Sequence, residues 1–373
     1  MNLRILQVVL EPRRAGAEVL AADLAGEFAN MGIANAVAGL VKSDLTLGEM
    51  TLTKEVETFD FPYSSTRPLL RLRFLRKVFK EFQPNVTFAH TVIPAAYTRI
   101  VGPTSSRLVP VLHSATPDYS DRLLACSERI LRYRSFATIG VSPKAFAEYL
   151  TIVGKEPKNF SVVANGLRPE DFIFNADWRA SIRKELEIDT NAVVFTVAAR
   201  VTAVKNQLAA LRIFRDYRKA NPRRESVLLL AGEEVDADYA EELRLEISKF
   251  GLGPRVKFLG PRNDVGKLLS ATDIAVLASF EEANSIALIE YLVSGAAVIA
   301  SNIRSNDSFG IREGFVRVDP RDPQIDSERL NRLAARRYER STANEFHISK
   351  TALRYLEVAK VAGPTPADRR ISS

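Results

Sequence analysis

The most informative segment of the chain is residues 273–290, which read DIAVLASFEEANSIALIE. Its first residues, Asp273–Ala278, have the apolar composition of a buried strand, and a polar loop that carries Glu282 follows them. Ser285 is the expected N-cap of a helix that contains Glu290. A strand that leads through a loop into a helix is the basic unit of an α/β fold.

Outward from this segment, apolar runs alternate with helical patterns over nearly the whole chain. The predicted strands are 3–10, 34–41, 85–90, 108–113, 137–142 and 161–166 in the first half, and 192–200, 226–232, 255–260, 273–279, 296–301 and 314–319 in the second. Continuous apolar strands that alternate with helices predict doubly wound parallel sheets. Because these strands are too many for one ordinary sheet, we predict two Rossmann-like domains that meet near Arg168–Asp171. A ligand is then expected at the carboxyl ends of the strands, in a cleft between the domains.

The composition is that of a globular chain with a moderate excess of positive charge. Its 373 residues include 52 Lys and Arg against 45 Asp and Glu, and the net charge of +7 suits an acidic partner such as a nucleotide, an anionic membrane surface or a nucleic acid. The single cysteine, Cys126, excludes a disulfide framework and a cysteine-based zinc cluster, and its apolar neighbours predict a buried side chain. No RNA-binding signature or basic recognition helix is found, so we expect no nucleic-acid partner.

The sequence also bears on localisation. Residues 3–10 have the pattern of a strand rather than that of a signal peptide. No run approaches the roughly 18 apolar residues needed to span a bilayer. We therefore expect a cytoplasmic protein, and peripheral attachment to the inner face of a membrane stays open.

Two cations stand on the loop after the predicted strand 192–200. Arg200 and Lys205 can converge on a pyrophosphate, and the N-terminus of the next helix would add its positive field. Two solvated loop cations are the alternative interpretation.

Glu282 and Glu290 place two carboxylates at one edge of the second predicted sheet. Ionised carboxylates accept hydrogen bonds, and the hydroxyls of a sugar and of a ribose donate them. The alternative is that Glu290 complements the helix dipole and that Glu282 is solvated.

Together these residues resemble the family-4 glycosyltransferases of the GT-B fold, and the resemblance extends over most of the chain. Arg200 and Lys205, followed by Glu282 and Glu290, have the order and separation of the family's donor-binding residues. Further segments are similar to family motifs in the same order: Arg14-Ala15-Gly16-Ala17-Glu18, Val163-Ala164-Asn165-Gly166-Leu167, Val256-Lys257-Phe258-Leu259-Gly260 with Asn263-Asp264, and a closing helix from Phe346 to Tyr355.

The resemblance implies a GT-B domain organisation, with two Rossmann-like, doubly wound α/β domains facing across a cleft. Residues 1–170 would form the acceptor-side domain and residues 171–345 the domain that binds the nucleotide sugar. A closing helix, residues 346–362, would return to the N-terminal domain. The tail, residues 363–373, contains Pro, Ala and Arg and is expected to be disordered.

The resemblance also implies roles for single residues. Arg200 and Lys205 would neutralise the pyrophosphate as it leaves, Glu282 would bind hydroxyls of the transferred sugar, and Glu290 would bind the ribose. The absence of a side chain at Gly16 would let the backbone approach the donor phosphates. Further contacts to the donor are expected from Asn263, Ser285 and Ile286.

Two histidines end predicted strands in the N-terminal half. His113 resembles the histidine that faces the sugar from the N-terminal domain of the family, and we predict that it is catalytic. Without that family context, a single histidine at a strand end is more often structural. His90 is a second candidate on the acceptor side, and His347 is expected to be a surface residue.

The chain departs from the family pattern at two positions. The usual first glycine of the N-terminal turn is Ala15, and the glycine that commonly follows the first glutamate is Ala283. Neither change removes a reacting group, but Ala283 bears on how Glu282 meets the sugar.

The motif Asp236-Ala237-Asp238 is similar to a metal-binding motif of the other major glycosyltransferase fold. Here it precedes an acidic helical pattern, in which carboxylates suit the positive N-terminal end of the helix dipole. We therefore expect a helix start at this motif, no essential metal and no cofactor other than the sugar-nucleotide substrate.

A basic segment, residues 67–80, reads RPLLRLRFLRKVFK and contains no acid. Five apolar residues recur at helical spacing: Leu69, Leu72, Leu75, Phe79 and Phe82. Arg73, Lys77 and Lys80 are available on another face. A helix packed on the sheet with a solvated basic side is one interpretation. The other is a helix that docks on an anionic membrane surface, near a lipid-linked acceptor.

The sequence therefore predicts a retaining hexosyl- or N-acetylhexosaminyl-transferase that uses a UDP- or GDP-sugar donor. Its acceptor would be a saccharide or a lipid-linked molecule in bacterial cell-surface polysaccharide or glycolipid synthesis. Retention is implied by the resemblance alone. A sugar-nucleotide epimerase of the GT-B fold is a second hypothesis, and a non-catalytic basic binding protein is a third, from a different class.

Overall fold

The structure, a computed structural model, describes residues 3–13, 16–51, 55–65, 67–113, 122–282, 284–310, 313–338 and 344–360. The chain divides into two compact units. The first comprises Met1–Leu167 together with His347–Ser373, and the second comprises Arg168–Phe346.

The first unit contains a seven-stranded parallel sheet. Its strands are β1 (Arg4–Val9), β2 (Ala34–Gly39), β3 (Glu57–Phe59), β4 (Val86–His90), β5 (Arg107–Leu112), β6 (Thr138–Gly140) and β7 (Phe160–Val162). Their order across the sheet is β3-β2-β1-β4-β5-β6-β7, and the pairings are parallel. The helices are α1 (Gly16–Asn30), α2 (Leu47–Thr51), α3 (Pro68–Phe82), α4 (Val92–Val101), α5 (Arg122–Leu131), α6 (Pro143–Val153) and α13 (Ile348–Val358).

The central strands of this sheet are covered on both faces, which is why their sequences are continuously apolar. All five residues of β4 are buried. On one face, Leu75 and Phe79 of α3 pack in one cluster with Leu6 and Val8 of β1.

The last helix, α13, belongs to this first unit. The ring centroid of Tyr355 lies 5.0 Å from that of Phe88 on β4, and the tyrosine side chain is fully buried. At the end of the helix, Arg107 Nη1 donates to the carbonyl oxygen of Ala359 at 2.7 Å. Burial of a large side chain of this kind contributes about 2 kcal/mol, so the helix is firmly attached. The prediction of a C-terminal helix that returns to the N-terminal domain is confirmed.

The second unit contains a six-stranded parallel sheet. Its strands are β8 (Val193–Ala198), β9 (Ser226–Ala231), β10 (Val256–Gly260), β11 (Ile274–Leu277), β12 (Ala297–Ser301) and β13 (Phe315–Val318). Their order is β10-β9-β8-β11-β12-β13. The helices are α7 (Ala176–Glu185), α8 (Gln207–Ala220), α9 (Ala237–Lys249), α10 (Val265–Ala271), α11 (Ile286–Ser294) and α12 (Ser327–Ala334).

The two predicted parallel sheets are confirmed, but the sequence pattern missed strand β3. This strand is only three residues long, lies at the edge of the first sheet and contains Glu57 and Thr58, which are not fully buried. Edge strands are often short and carry charged side chains, so a continuous apolar run is not expected there.

Two smaller expectations had opposite outcomes. Asp236 is the N-cap of α9 and accepts a hydrogen bond from Tyr239 N–H at 3.1 Å, so the predicted helix start is confirmed. Cys126 is exposed, so the expectation of a buried cysteine was wrong. Ala125 is the buried residue of this pair, and successive residues of a helix are turned by about 100°, which brings Cys126 to the solvent side of α5.

Candidate active site

The winding direction of the second sheet reverses between β8 and β11. These two strands are neighbours, with Ile274 opposite Phe195 and Ala275 opposite Thr196, although β9 and β10 come between them in sequence. In an open parallel sheet, the loops that leave such a pair diverge and form a crevice beyond the carboxyl ends. Arg200 and Lys205 follow β8, and Glu282 follows β11.

Asn206 fixes the loop after β8. Its backbone is left-handed, with φ 54° and ψ 52°, a conformation that asparagine adopts more readily than most residues. Its side-chain nitrogen donates to the carbonyl oxygens of Ala278 at 3.1 Å and Pro320 at 2.8 Å, and its side-chain oxygen accepts from Ala209 N–H. The asparagine thus caps α8 and ties the loop of Lys205 to the end of β11.

Lys205 and Glu282 meet between the two loops. Lys205 Nζ lies 2.7 Å from Glu282 Oε1, and Ser279 Oγ donates to the same oxygen at 2.7 Å. The Glu282 side chain is only 8% exposed and that of Lys205 24%. The arrangement holds an almost buried carboxylate and a more accessible ammonium group side by side.

Arg200 lies at the start of the same loop, and its side chain is exposed. Gln207 Nε2 donates to its carbonyl oxygen at 2.9 Å. The backbone of Gly232 lies very close to the backbone that precedes Arg200. A Cβ atom at Gly232 would come within 2.1 Å of the carbonyl oxygen of Ala199. The backbone of Arg200 is therefore held from two sides while its guanidinium group faces solvent.

Helix α11 begins at the same edge of the sheet. Ser285 is its N-cap and accepts from Leu288 N–H at 3.3 Å, which confirms the predicted helix start. Ile286 is the first residue of the helix, and Glu290 lies one turn further along and is partly buried. The amide groups of a helical first turn carry a partial positive charge that favours an anion.

Tyr291 connects α11 to β8 through a hydrogen bond. Its hydroxyl accepts from Ala198 N–H at 2.7 Å. Burial raises the pKa of Tyr291, and the negative charges of Glu290 and Glu282 raise it further. Both predicted donor-binding carboxylates therefore lie within electrostatic range of one buried phenol.

Three of these groups were not singled out from the sequence: Asn206, Ser279 and Tyr291. Ser279 stands in the loop quoted above and Tyr291 directly follows Glu290. Their positions next to the predicted site residues could have identified both as candidates. Their partners, Glu282 and Ala198, become apparent only when β8 and β11 lie side by side.

The other predicted donor contacts lie at separate places. Asn263 is exposed on the loop after β10, next to Arg262, which pairs with Asp264 through two contacts of 2.7 Å. Gly16 is the exposed first residue of α1, in the first unit. The departures at Ala15 and Ala283, and also Arg14, lie outside the described residues.

The predicted catalytic histidine, His113, lies at the end of β5 in the first unit and is partly buried. Its Nε2 atom is 3.0 Å from Nδ1 of His90, which ends the neighbouring strand β4. Burial lowers the pKa of His113 to about 4. Burial and the neighbouring His113 hold the pKa of His90 well below its usual range, so both rings are neutral at neutral pH.

Two kinds of feature are absent from the described residues. No helix among them is long and apolar enough to cross a membrane. Over the same part of the chain, no three His, Cys, Asp or Glu side chains converge as metal ligands would.

Both halves of the chain match models of known protein families. The model of the family described as Glycosyltransferase Family 4 matches residues 14–171, and the model described as Glycosyl transferases group 1 matches residues 179–345.

Two curated relatives are similar to parts of the chain. One is the UDP-Gal:alpha-D-GlcNAc-diphosphoundecaprenol alpha-1,3-galactosyltransferase of Escherichia coli, with 29% identity over 41% of this chain and 39% of that protein. The other is the D-inositol 3-phosphate glycosyltransferase of Rhodococcus jostii (strain RHA1), with 27% identity over 40% of this chain and 34% of that protein. The matches thus span well under half the length of either relative.

The fold is similar to that of solved glycosyltransferase structures. Anabaena Alr3699/HepE, solved in complex with UDP and glucose, superposes with a TM-score of 0.78 and 19% identity over 96% of this chain and 99% of that chain. WaaG, a glycosyltransferase involved in lipopolysaccharide biosynthesis, superposes with a TM-score of 0.63 and 14% identity over 99% of this chain and 100% of that chain. With both halves matched and two Rossmann-like units observed, the chain belongs to the family-4 glycosyltransferases of the GT-B fold.

Proposed function

We propose that the chain is a retaining hexosyl- or N-acetylhexosaminyl-transferase. It takes a sugar from a UDP- or GDP-sugar and gives it to a saccharide or lipid-linked acceptor, in bacterial cell-surface polysaccharide or glycolipid synthesis. The observation that carries the proposal is the contact between Lys205 and Glu282 where β8 and β11 diverge. This contact brings two complementary groups to one edge of the sheet. The cation can bind a phosphate, and the carboxylate can accept hydrogen bonds from hydroxyls.

The diphosphate of the donor is assigned to the cations of this edge. The ammonium group of Lys205 and the exposed guanidinium group of Arg200 supply charge-assisted hydrogen bonds, which are the strongest kind available to phosphate oxygens. The first-turn amide groups of α11, at Ile286, add the positive end of a helix dipole. These groups stabilise the negative charge that develops on the leaving nucleotide.

The hydroxyls of the donor are assigned to the carboxylates. Glu282, held by Lys205 and Ser279, accepts hydrogen bonds from the transferred sugar, and Glu290 accepts from the ribose. Glu282 has a fixed orientation because both of its named partners contact Oε1.

The transfer itself needs no group beyond these residues and the two substrates. The acceptor hydroxyl oxygen forms a bond to the anomeric carbon on the face that the phosphate leaves, and the bond from that carbon to the phosphate oxygen breaks. The hydroxyl proton passes to the departing phosphate. Arg200 and Lys205 promote the step by stabilising the leaving group, so we propose a reaction without an essential metal.

The names of similar proteins support the choice of donor. The relative from Escherichia coli is named as a transferase that uses UDP-Gal, and the Anabaena structure contains UDP and glucose. UDP-sugars are therefore the first donors to test, followed by GDP-sugars.

The deciding experiment combines a thermal-shift screen with a transfer assay. A donor present at 100 times its Kd stabilises the folded chain by about 2.7 kcal/mol, which is a clear shift in Tm. Lys205→Met removes the cation at the site. Lys219→Met removes the same charge from the exposed far end of α8 and serves as the matched control. No stabilisation by any UDP or GDP compound, or equal shifts for both variants, would count against the proposal.

The products distinguish the alternatives. A transferase releases the free nucleotide only in proportion to glycosylated acceptor, whereas an epimerase converts the sugar nucleotide without any acceptor. A non-catalytic binding protein would show a Tm shift and no turnover.

We also propose that α3 docks on an anionic membrane surface. Leu75, Phe79 and Phe82 hold the helix on the sheet, as their spacing predicted. Leu69, which was expected in the same apolar set, is instead 70% exposed and lies on the outer side. The outer face also carries the exposed cations Arg73, Arg76, Lys77 and Lys80. Exposed apolar and basic residues on one helix favour contact with anionic lipid headgroups.

Sedimentation with liposomes tests the docking. We expect binding to vesicles that contain phosphatidylglycerol, weaker binding to phosphatidylcholine vesicles, and loss of the difference in Arg73→Glu/Lys77→Glu/Lys80→Glu. Equal binding to both kinds of vesicle, or no effect of the triple substitution, would contradict it.

A further inference from the structure

Three polar side chains form a hydrogen-bonded row across the centre of the first sheet. They come from the neighbouring strands β1, β4 and the end of β5. Gln7 Oε1 lies 2.7 Å from His90 Nε2, and His90 Nδ1 lies 3.0 Å from His113 Nε2. Gln7 and His90 are almost completely buried, at 0% and 1% exposure, and His113 is partly exposed. The row therefore runs from the core of the unit towards its surface.

The direction of each hydrogen bond follows from the chemistry of the groups. An amide oxygen can only accept, so the proton between Gln7 and His90 is on His90 Nε2. A neutral imidazole carries one proton, which leaves His90 Nδ1 as an acceptor for the Nε2–H of His113. Nδ1 of His113 is then unprotonated, and within the described part of the chain no residue hydrogen-bonds to it.

We propose that Gln7 and His90 are positioning residues that hold His113 in its Nε2–H tautomer, so that Nδ1 accepts a hydrogen bond from a hydroxyl of a bound substrate. This inference rests on the proposed function, because it needs a hydroxyl-bearing substrate. Sugars and their acceptors carry such hydroxyls. The bond orients the hydroxyl without transferring its proton.

A purely structural role does not explain the row. Phe88, which lies opposite Gln7 and on the same face of β4 as His90, is fully buried, and burial of a polar group among apolar side chains is costly unless hydrogen bonds offset it. Gln7 Nε2 is itself buried without a hydrogen-bond partner in the described structure, so the amide adds to this cost. An apolar residue at position 7 would avoid the cost, but it would leave His90 and His113 free to change tautomer.

The experiment is ¹⁵N NMR of the full chain labelled at histidine. The sequence has three histidines, so each signal is assigned by one substitution. His347→Asn removes the third ring and keeps an acceptor at the N-cap of α13, where His347 Nδ1 now accepts from Ser349 N–H. At neutral pH we expect the Nε2–H tautomer for both His90 and His113. A Nδ1–H tautomer at His113 would overturn the inference, since it is the state produced by the opposite orientation of the Gln7 amide.

Two variants of Gln7 link the tautomer to the reaction. Gln7→Leu removes the acceptor, and we expect mixed tautomers at His113 and a fall in kcat of about tenfold with an almost unchanged KM for the donor, as for one lost hydrogen bond in the transition state. Gln7→Asn keeps a neutral amide acceptor on a side chain one methylene shorter and is expected to restore part of the Nε2–H signal and of kcat. An unchanged spectrum and rate in Gln7→Leu would overturn the inference.

The failure of the two proposals can be distinguished. A wild-type chain that transfers no sugar would overturn the proposed function, and with it the role of Nδ1, whichever tautomer is found. An active chain with a protonated Nδ1 at His113 would overturn the inference alone.

Discussion

Lys205 Nζ and Glu282 Oε1 are 2.7 Å apart although the two residues are 77 positions apart in sequence. Each stands on the loop after one of the two strands where the second sheet reverses its winding. The carboxylate is 8% exposed, so the cation compensates a charge that water hardly reaches. The contact therefore joins the two loops and holds Lys205 at the place proposed for the donor phosphate.

Removing the cation should destabilise the second unit. In Lys205→Met, the nearly buried carboxylate of Glu282 loses a charged partner, and we expect the free energy of unfolding to fall by about 1–3 kcal/mol. Trp178 is the single tryptophan and lies on α7 of the same unit, so urea unfolding followed by its fluorescence measures this loss.

The double variant provides the control for that prediction. Lys205→Met/Glu282→Gln removes both charges, and we expect it to be more stable than Lys205→Met alone. Lys219→Met should match the wild type. If the double variant loses the sum of the two single losses, the two side chains are not energetically coupled.

The two carboxylates should have separable effects on the donor. Glu290→Gln is expected to weaken the binding of UDP or GDP by roughly tenfold, because one charged hydrogen bond to the ribose is replaced by a weaker neutral one. Glu282→Gln is expected to lower kcat more than it weakens nucleotide binding, because its proposed partner is the transferred sugar. Calorimetric titration gives the affinity for the free nucleotide, and steady-state kinetics give kcat. Equal nucleotide affinity of Glu290→Gln and the wild type would refute the ribose assignment.

Local features of this fold could be predicted from the sequence because their signals are local. Ser285 and Asp236 cap helices through amides three residues away, and the continuous apolar runs identify buried parallel strands. The contacts that make the site specific are not local. The pairing of Lys205 with Glu282 and the row from Gln7 to His113 depend on which strands become neighbours. No spacing along the chain encodes that adjacency directly.

Gly232 should be intolerant of substitution because of its contact with the end of β8. A Cβ atom at this position would lie 2.1 Å from the carbonyl oxygen of Ala199 and 2.9 Å from the amide nitrogen of Arg200. Gly232→Ala must move this backbone, and we expect a loss of about 1–3 kcal/mol together with weaker donor binding through the displaced Arg200. Unfolding followed by Trp178 fluorescence and a donor titration give the two values.

Gly253 is the matched control in the same unit. A Cβ atom there meets nothing within 4 Å, and its φ angle is not positive. Gly253→Ala should therefore keep the stability and donor affinity of the wild type. Similar losses in both variants would show that the close approach at Gly232 is not the cause.

The two neutral histidines should make the stability of the first unit depend on pH. Burial lowers the pKa of His113 to about 4, and that of His90 is held well below the value of about 6.5 expected in an unfolded chain. Below pH 6.5 the unfolded chain therefore binds protons that the folded chain does not, so acid favours unfolding. The stabilisation is complete above pH 6.5 and is lost as the pH falls towards 4, by at most about 1.4 kcal/mol per pH unit for each histidine.

A comparison with His90→Gln/His113→Asn isolates this effect. Carboxylates with a raised pKa, such as buried Glu18, respond to pH in the opposite direction, but they are present in both chains and cancel in the difference. The free energy of unfolding of the first unit, followed by amide hydrogen exchange in its strands between pH 8 and 5, is the measurement. We expect the difference between wild type and variant to be constant above pH 7 and to shift against the wild type below pH 6.5. A difference that stays constant down to pH 5 would mean that the histidines are protonated equally in the folded and unfolded chains, and it would contradict the neutral row from Gln7 to His113.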